Sequence, residues 1–174
     1  MDVTRRIEQG CAVIRKPFLA LLLTALMATT MTACSKDNGL APDKASAQIT
    51  GYNHTAEYIH RFSVDGAWGG NVFAYGGGGS FVCCVIYPRQ WRPGLTATVK
   101  WSTSSSDPKA TGDDIVGKWH EAVVPVEKYD IPGGALNVHF LPDGKVRLIV
   151  TNGSADQPNY PGPPPPIKPK DFKW

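Results

Sequence analysis

From Gln48 to Asn152, apolar and polar residues alternate in short segments, and glycine, proline or Asp-Gly breaks each segment before it reaches helical length. Successive side chains of a strand face opposite sides, so a period of two marks half-buried strands. Leu95, Ala97, Val99 and Trp101 alternate with Thr96, Thr98 and Lys100, and Pro93-Gly94 just before them suits the centre of a type II turn. Leu136, Val138 and Phe140 alternate with Asn137 and His139. Pro142-Asp143-Gly144 then turns the chain into Val146, Leu148 and Val150, which alternate with Arg147 and Ile149, the pattern of a hairpin. In Tyr58 to Val64, the residues Tyr58, His60, Phe62 and Val64 share one face, Ile59, Arg61 and Ser63 the other, and Asp65-Gly66 closes the segment. Gln48 to His54 reads as a strand ahead of it. Phe81 to Ile86 is an unbroken apolar run, the pattern of a strand covered on both faces. Lys118 to Val126 is a further strand, edged by Pro125. With 18 glycines and 15 prolines in 174 residues, turns are favoured over helices. The expectation is an all-β fold, an antiparallel β-sandwich or barrel of about seven short strands.

The ends of the chain have a different texture. Arg5, Arg6, Arg15 and Lys16 precede the apolar run Phe18 to Met27. That is a basic region followed by a hydrophobic stretch of secretory length, about half of the roughly 20 residues a transmembrane helix needs. Met31-Thr32-Ala33-Cys34 resembles a bacterial lipobox, with Met31 standing where leucine is usual. Four segments follow: a lipoprotein signal peptide at 1–33, a lipidated flexible tether at 34–47, the β domain at 48–152 and a Pro-rich tail at 153–174. Cys34 is the expected lipidation site, and it would hold the protein on a membrane. Ser35, rather than Asp, after that cysteine favours the outer membrane, facing the periplasm. The tail, with Pro163 to Pro166 consecutive, reads as a disordered extended terminus or, less favoured, as a docking strip anchored by Phe172 and Trp174.

Beyond residue 33 the chain keeps 14 basic and 13 acidic residues, so no basic stripe recommends a nucleic-acid partner. Of the four cysteines, Cys11 leaves with the signal peptide and Cys34 is consumed by lipid. Cys83 and Cys84 remain. Side chains of adjacent strand residues diverge, so two buried thiols are the first expectation, with a vicinal disulfide next, then a metal site or an intermolecular bridge.

Gly76 to Gly79 followed by Ser80 lacks both the helix and the lysine that a phosphate loop requires, and reads as a loop or a close backbone approach. His54, His60, His120 and His139 have no metal-ligand spacing, and His120-Glu121 reads as a solvated strand position rather than an acid/base pair. No nucleophile elbow is present, so no catalytic residue, metal or cofactor is assigned and the chain is not expected to be an enzyme. Trp68, Trp91 and Arg92 are the candidate binding residues, with Phe73 and Tyr75 beside them in the Gly-rich region, although any of these rings suits a core equally well.

The blocks "ITGYNHT", "YIHRFSVDGAWGGN", "GGGG", "FVCCV" and "WRPGL" between Ile49 and Trp101 resemble an uncharacterised family of proteobacterial lipoproteins, a domain of unknown function. The resemblance implies, through the genetic context of some members, immunity or accessory proteins for type VI secretion lipase effectors. It assigns no catalytic residues. The leading expectation is therefore a lipid-anchored protein-binding module whose partner is a protein such as a secreted effector. The alternatives are an envelope redox or enzymatic protein using Cys83 and Cys84, and a structural envelope lipoprotein.

Overall fold

A computed structural model describes residues 40–174 apart from Asp113, Asp114, Val116, Ile131 and Trp174. The signal peptide, Cys34 and the first part of the tether lie outside the described residues. Eight strands are present among the described residues: β1 (Lys44–Asn53), β2 (Tyr58–Val64), β3 (Ala67–Val72), β4 (Val82–Pro88), β5 (Thr96–Ser104), β6 (Lys118–Pro125), β7 (Ala135–Phe140) and β8 (Val146–Thr151). They form two four-stranded sheets, in the orders β4-β1-β7-β8 and β3-β2-β5-β6. Neither sheet closes on itself, and the fold is a β-sandwich. Its pairings are antiparallel except that β1 runs parallel to β7, which makes the first sheet mixed.

The two inner faces share one core. Ile49, Leu136, Val138 and Leu148 come from the first sheet, and Ile59, Phe62, Val64 and Val99 from the second. Phe140 joins the layers, edge-on to Phe62 at 5.2 Å and tilted against Trp101 at 5.7 Å. The turns follow their sequence chemistry. Asp65 and Gly66 take positive φ of 48° and 82° and form the two-residue β2–β3 hairpin loop. Leu95 N–H donates to the Arg92 carbonyl across Pro93-Gly94, with Gly94 at φ 79°.

Four sequence expectations are corrected by packing. In β2 a bulge leaves His60 without a partner between the pairs Ile59–Thr103 and Arg61–Ser102, so Ile59 turns inward with Phe62 and Val64 while His60 is exposed. β4 is an edge strand covered on one face only: Val85 and Tyr87 are buried, but Ile86 is 48% exposed. β1 begins at Lys44, inside the expected tether, because Lys44 to Ala47 pair with Val85 to Pro88.

The fourth correction concerns the C-terminal tail, which is packed rather than loose. Alternation in β7 and β8 leaves Asn137, His139 and Ile149 facing away from the core, yet all three are buried, as are Thr50 and Tyr52 on β1. The segment after β8 covers Tyr52, His139 and Ile149. Ala155 is buried and donates its N–H to the Tyr52 hydroxyl at 3.3 Å, Tyr160 reaches His139, and the chain at Gly162 runs tight against Ile149. This C-terminal strap forms a third layer on β1, β7 and β8, and further on Phe172 meets Tyr75 edge-on at 5.0 Å.

Candidate functional site

The candidate site is built where β1 loses its partner β4. β4 pairs with β1 only as far as Ile49, and beyond that point the Gly76–Gly78 segment takes over the free edge. Asn53 N–H donates to the Gly76 carbonyl at 2.8 Å, and Gly78 N–H to the Gly51 carbonyl at 3.0 Å. No side chain fits there: a Cβ on Gly77, which has φ 141°, would lie 2.3 Å from the Gly51 oxygen. The glycine run is therefore a close backbone approach, and a strand rather than a helix follows it.

Two depressions flank this run. One, of about 480 Å³, is walled by Trp68, Gly69, Gly79 and Val82. The other, of about 690 Å³, lies among Tyr58, Phe73, Tyr75, Pro108 and Lys168. Phe73 and Gly76 border both. Trp68 is 52% exposed and Phe73 62%, and the Phe73 ring stacks on Tyr58 at 5.3 Å. This corner thus offers exposed aromatic faces beside bare backbone.

The remaining binding candidates lie elsewhere. Trp91 packs against the core and donates its indole N–H to the Val126 carbonyl at 2.9 Å, beyond the end of β6. β6 and β3 are opposite edges of the second sheet, so Trp91 and Trp68 do not share a patch. Arg92 is exposed in the turn next to Trp91 and belongs to the same far edge. Between the two roles open to Trp91, packing decides, and local sequence does not show it because the partner carbonyl of Val126 lies 35 residues away.

Cys83 and Cys84 are joined as a vicinal disulfide across a cis peptide. Ile49 pairs with Val82 and Ala47 with Val85, so the two cysteines together oppose Gln48 alone in a bulge. Cys83 is exposed, next in sequence to Val82 of the smaller depression. His120 stacks on Trp101 and sits 3.0 Å from the Thr103 hydroxyl, while Glu121 pairs with Lys100 at 3.1 Å. The two side chains therefore do not act as a pair. Among the described residues no group of three or more His, Cys, Asp or Glu side chains could hold a metal ion.

Sequence reasoning missed one cluster. His54 Nε2 lies 2.9 Å from His139 Nδ1, His139 Nε2 lies 2.5 Å from the Tyr160 hydroxyl, and Tyr52 stacks on His139 at 4.6 Å. Burial, then His54 and Arg147, push the His139 imidazole down to about 3. Burial also lowers His54, and it raises the Tyr160 hydroxyl with help from Tyr52. No local spacing could have signalled this cluster, since it depends on the parallel β1–β7 pairing and on the strap.

The model of a family described as a protein of unknown function, DUF3304, matches residues 52–148. The chain belongs to the DUF3304 family. The match runs from the end of β1 into β8 and takes in the glycine corner, Trp68, the vicinal cysteines, His54 and His139. The strap with Tyr160 follows the matched DUF3304 span. No curated protein and no solved structure matches the chain.

Proposed function

We propose that this DUF3304 protein is a lipoprotein, anchored through Cys34 in the outer membrane facing the periplasm, whose β domain binds a protein partner at the Trp68–Phe73 corner. The observation that carries the binding site is the depression of about 480 Å³ whose glycine backbone is flanked by the exposed rings of Trp68 and Phe73. Aromatic side chains are preferred interface anchors, and apolar groups exposed together mark interaction surfaces. Glycines beside them let a partner's main chain approach closely. The lipobox-like Met31 to Cys34 and the preceding apolar run support the anchor. Tethering would raise the effective concentration of the domain at the membrane.

The test is affinity purification of the membrane-extracted full chain, followed by binding measurements with the captured envelope protein. The double variant Trp68→Ala with Phe73→Ala should weaken that binding by about a hundredfold, as for loss of two anchors, with the melting temperature unchanged. Unchanged binding would remove the corner from the proposal. Cys34→Ser should move the protein from the membrane fraction to the soluble fraction. A secreted lipase effector is the partner class that the family resemblance implies. Periplasmic co-expression should then rescue cells from such a lipase, and absence of rescue rejects the immunity role.

A second reading, thiol–disulfide exchange with an envelope dithiol, draws on the exposed Cys83 bonded to Cys84 at a sheet edge. In that exchange the dithiol is oxidised to a disulfide while Cys83 and Cys84 become thiols.

A further inference from the structure

The strap closes the outer face of the first sheet over a line of hydrogen-bonding groups with His139 at its centre. His139 has 0% exposure, and both of its ring nitrogens are engaged, Nδ1 by His54 and Nε2 by the Tyr160 hydroxyl. A neutral imidazole satisfies this geometry in either tautomer. It accepts from His54 and donates to Tyr160, or it donates to His54 and accepts from Tyr160.

Among the described residues, the groups packed against His139 include no free anion to balance a charged ring. β1 contributes His54 and the stacked Tyr52 ring. β8 contributes Arg147, which is directly opposite His139 in the β7–β8 register. The strap contributes Tyr160. The carboxylate at this end is Glu127, and Arg147 holds both of its oxygens, at 2.6 and 2.9 Å. An imidazolium here would be buried beside a second histidine and a guanidinium.

We propose that His139 is a proton-operated latch for the C-terminal strap: acidification charges the buried imidazole and lifts residues 155–162 from β1, β7 and β8. The attachment is local, because Tyr160 sits directly on the titrating ring and Ala155 bonds to Tyr52, the ring stacked on it. Lifting the strap uncovers Tyr52, His139 and Ile149, a surface otherwise hidden.

The direction follows from linkage. In the closed state His139 is held near 3, whereas in an open state it returns to water and to its ordinary value near 6.5. Protons therefore bind the open state preferentially. Closure has its full strength above pH about 6.5 and weakens as pH falls toward 3. Between pH 7.5 and 5 the open-to-closed ratio should rise roughly thirtyfold for this single site.

Amide hydrogen exchange of the full chain, followed by mass spectrometry and corrected for intrinsic rates, measures that ratio. Exchange in residues 155–162 should accelerate about thirtyfold between pH 7.5 and 5, with β5 unchanged, and His139→Gln should abolish the acceleration. Tyr160→Phe should loosen the strap at both pH values and keep the pH dependence. Should His139→Gln fail to fold, the imidazole nitrogen resonances of the wild-type protein decide, because closed-state His139 must remain neutral at pH 5. The latch is overturned if strap exchange follows β5, if His139→Gln retains the acceleration, or if closed-state His139 titrates near 6.5.

Discussion

The indole N–H of Trp91 donates to the carbonyl of Val126 at 2.9 Å, fastening the β4–β5 loop to the chain just beyond β6. Val126 N–H in turn donates to the Leu95 carbonyl at 2.9 Å, so both backbone groups of Val126 hold this loop. Replacing Trp91 by Phe keeps most of the packing but removes this hydrogen bond, and should cost about 1–2 kcal/mol. Trp91→Ala also loses the packed ring and should cost about 2–4 kcal/mol. Urea unfolding measures both losses. Partner binding by the folded variants should stay at the wild-type level, which separates Trp91 from the Trp68 corner.

Phe62 is 1% exposed and lies against Gly69, where an added Cβ would stand 2.1 Å from the ring. The ring is locked between the sheets against Phe140, so it cannot swing away. Gly69→Ala should therefore destabilise the fold by about 3 kcal/mol through overpacking. Gly79 has nothing within 4 Å of the same position. Gly79→Ala should change stability by less than about 0.5 kcal/mol.

Deleting residues 155–174 strips the cover from Ile149, Tyr52 and His139, which are buried beneath the strap. Re-exposing the two large apolar side chains should cost about 3 kcal/mol. For a domain of this size that lowers the melting temperature by roughly 10 °C at neutral pH. A melting temperature unchanged by the deletion would show that the strap adds nothing to the fold.

Cys83 and Cys84 are bonded to each other, so the oxidised protein should take up no thiol reagent at either position. After reduction by a small dithiol, both should be labelled. Labelling of both cysteines before reduction would reject the disulfide.

The hairpins were legible in the sequence because their information is local. Asp65-Gly66 and Pro142-Asp143-Gly144 carry the backbone preferences of their own turns, and Ala97, Val99 and Trp101 carry their inward face in simple alternation. Whether Trp68 would be exposed was not legible, because a ring in a Gly-rich region suits a core or a surface equally; it is 52% exposed. The bulge at His60 was not legible, because one extra residue in β2 is defined only against β5. The edge position of β4 was hidden for a related reason: an apolar run does not record how many neighbours its strand will have.

The sequence by itself determined an all-β chain, its turns and most of its core, because a period of two and the φ preferences of glycine, proline and aspartate act over a few residues. Only the tertiary structure decided which polar residues became interior. His139 alternates as an outward residue should, and it is buried because a strap some twenty residues further along the chain returns across β7. The same long-range return brings Tyr160 to His139, and the parallel pairing of β1 with β7 brings His54 to its other side. Side chains 85 residues apart meet through sheet order, which no local pattern encodes.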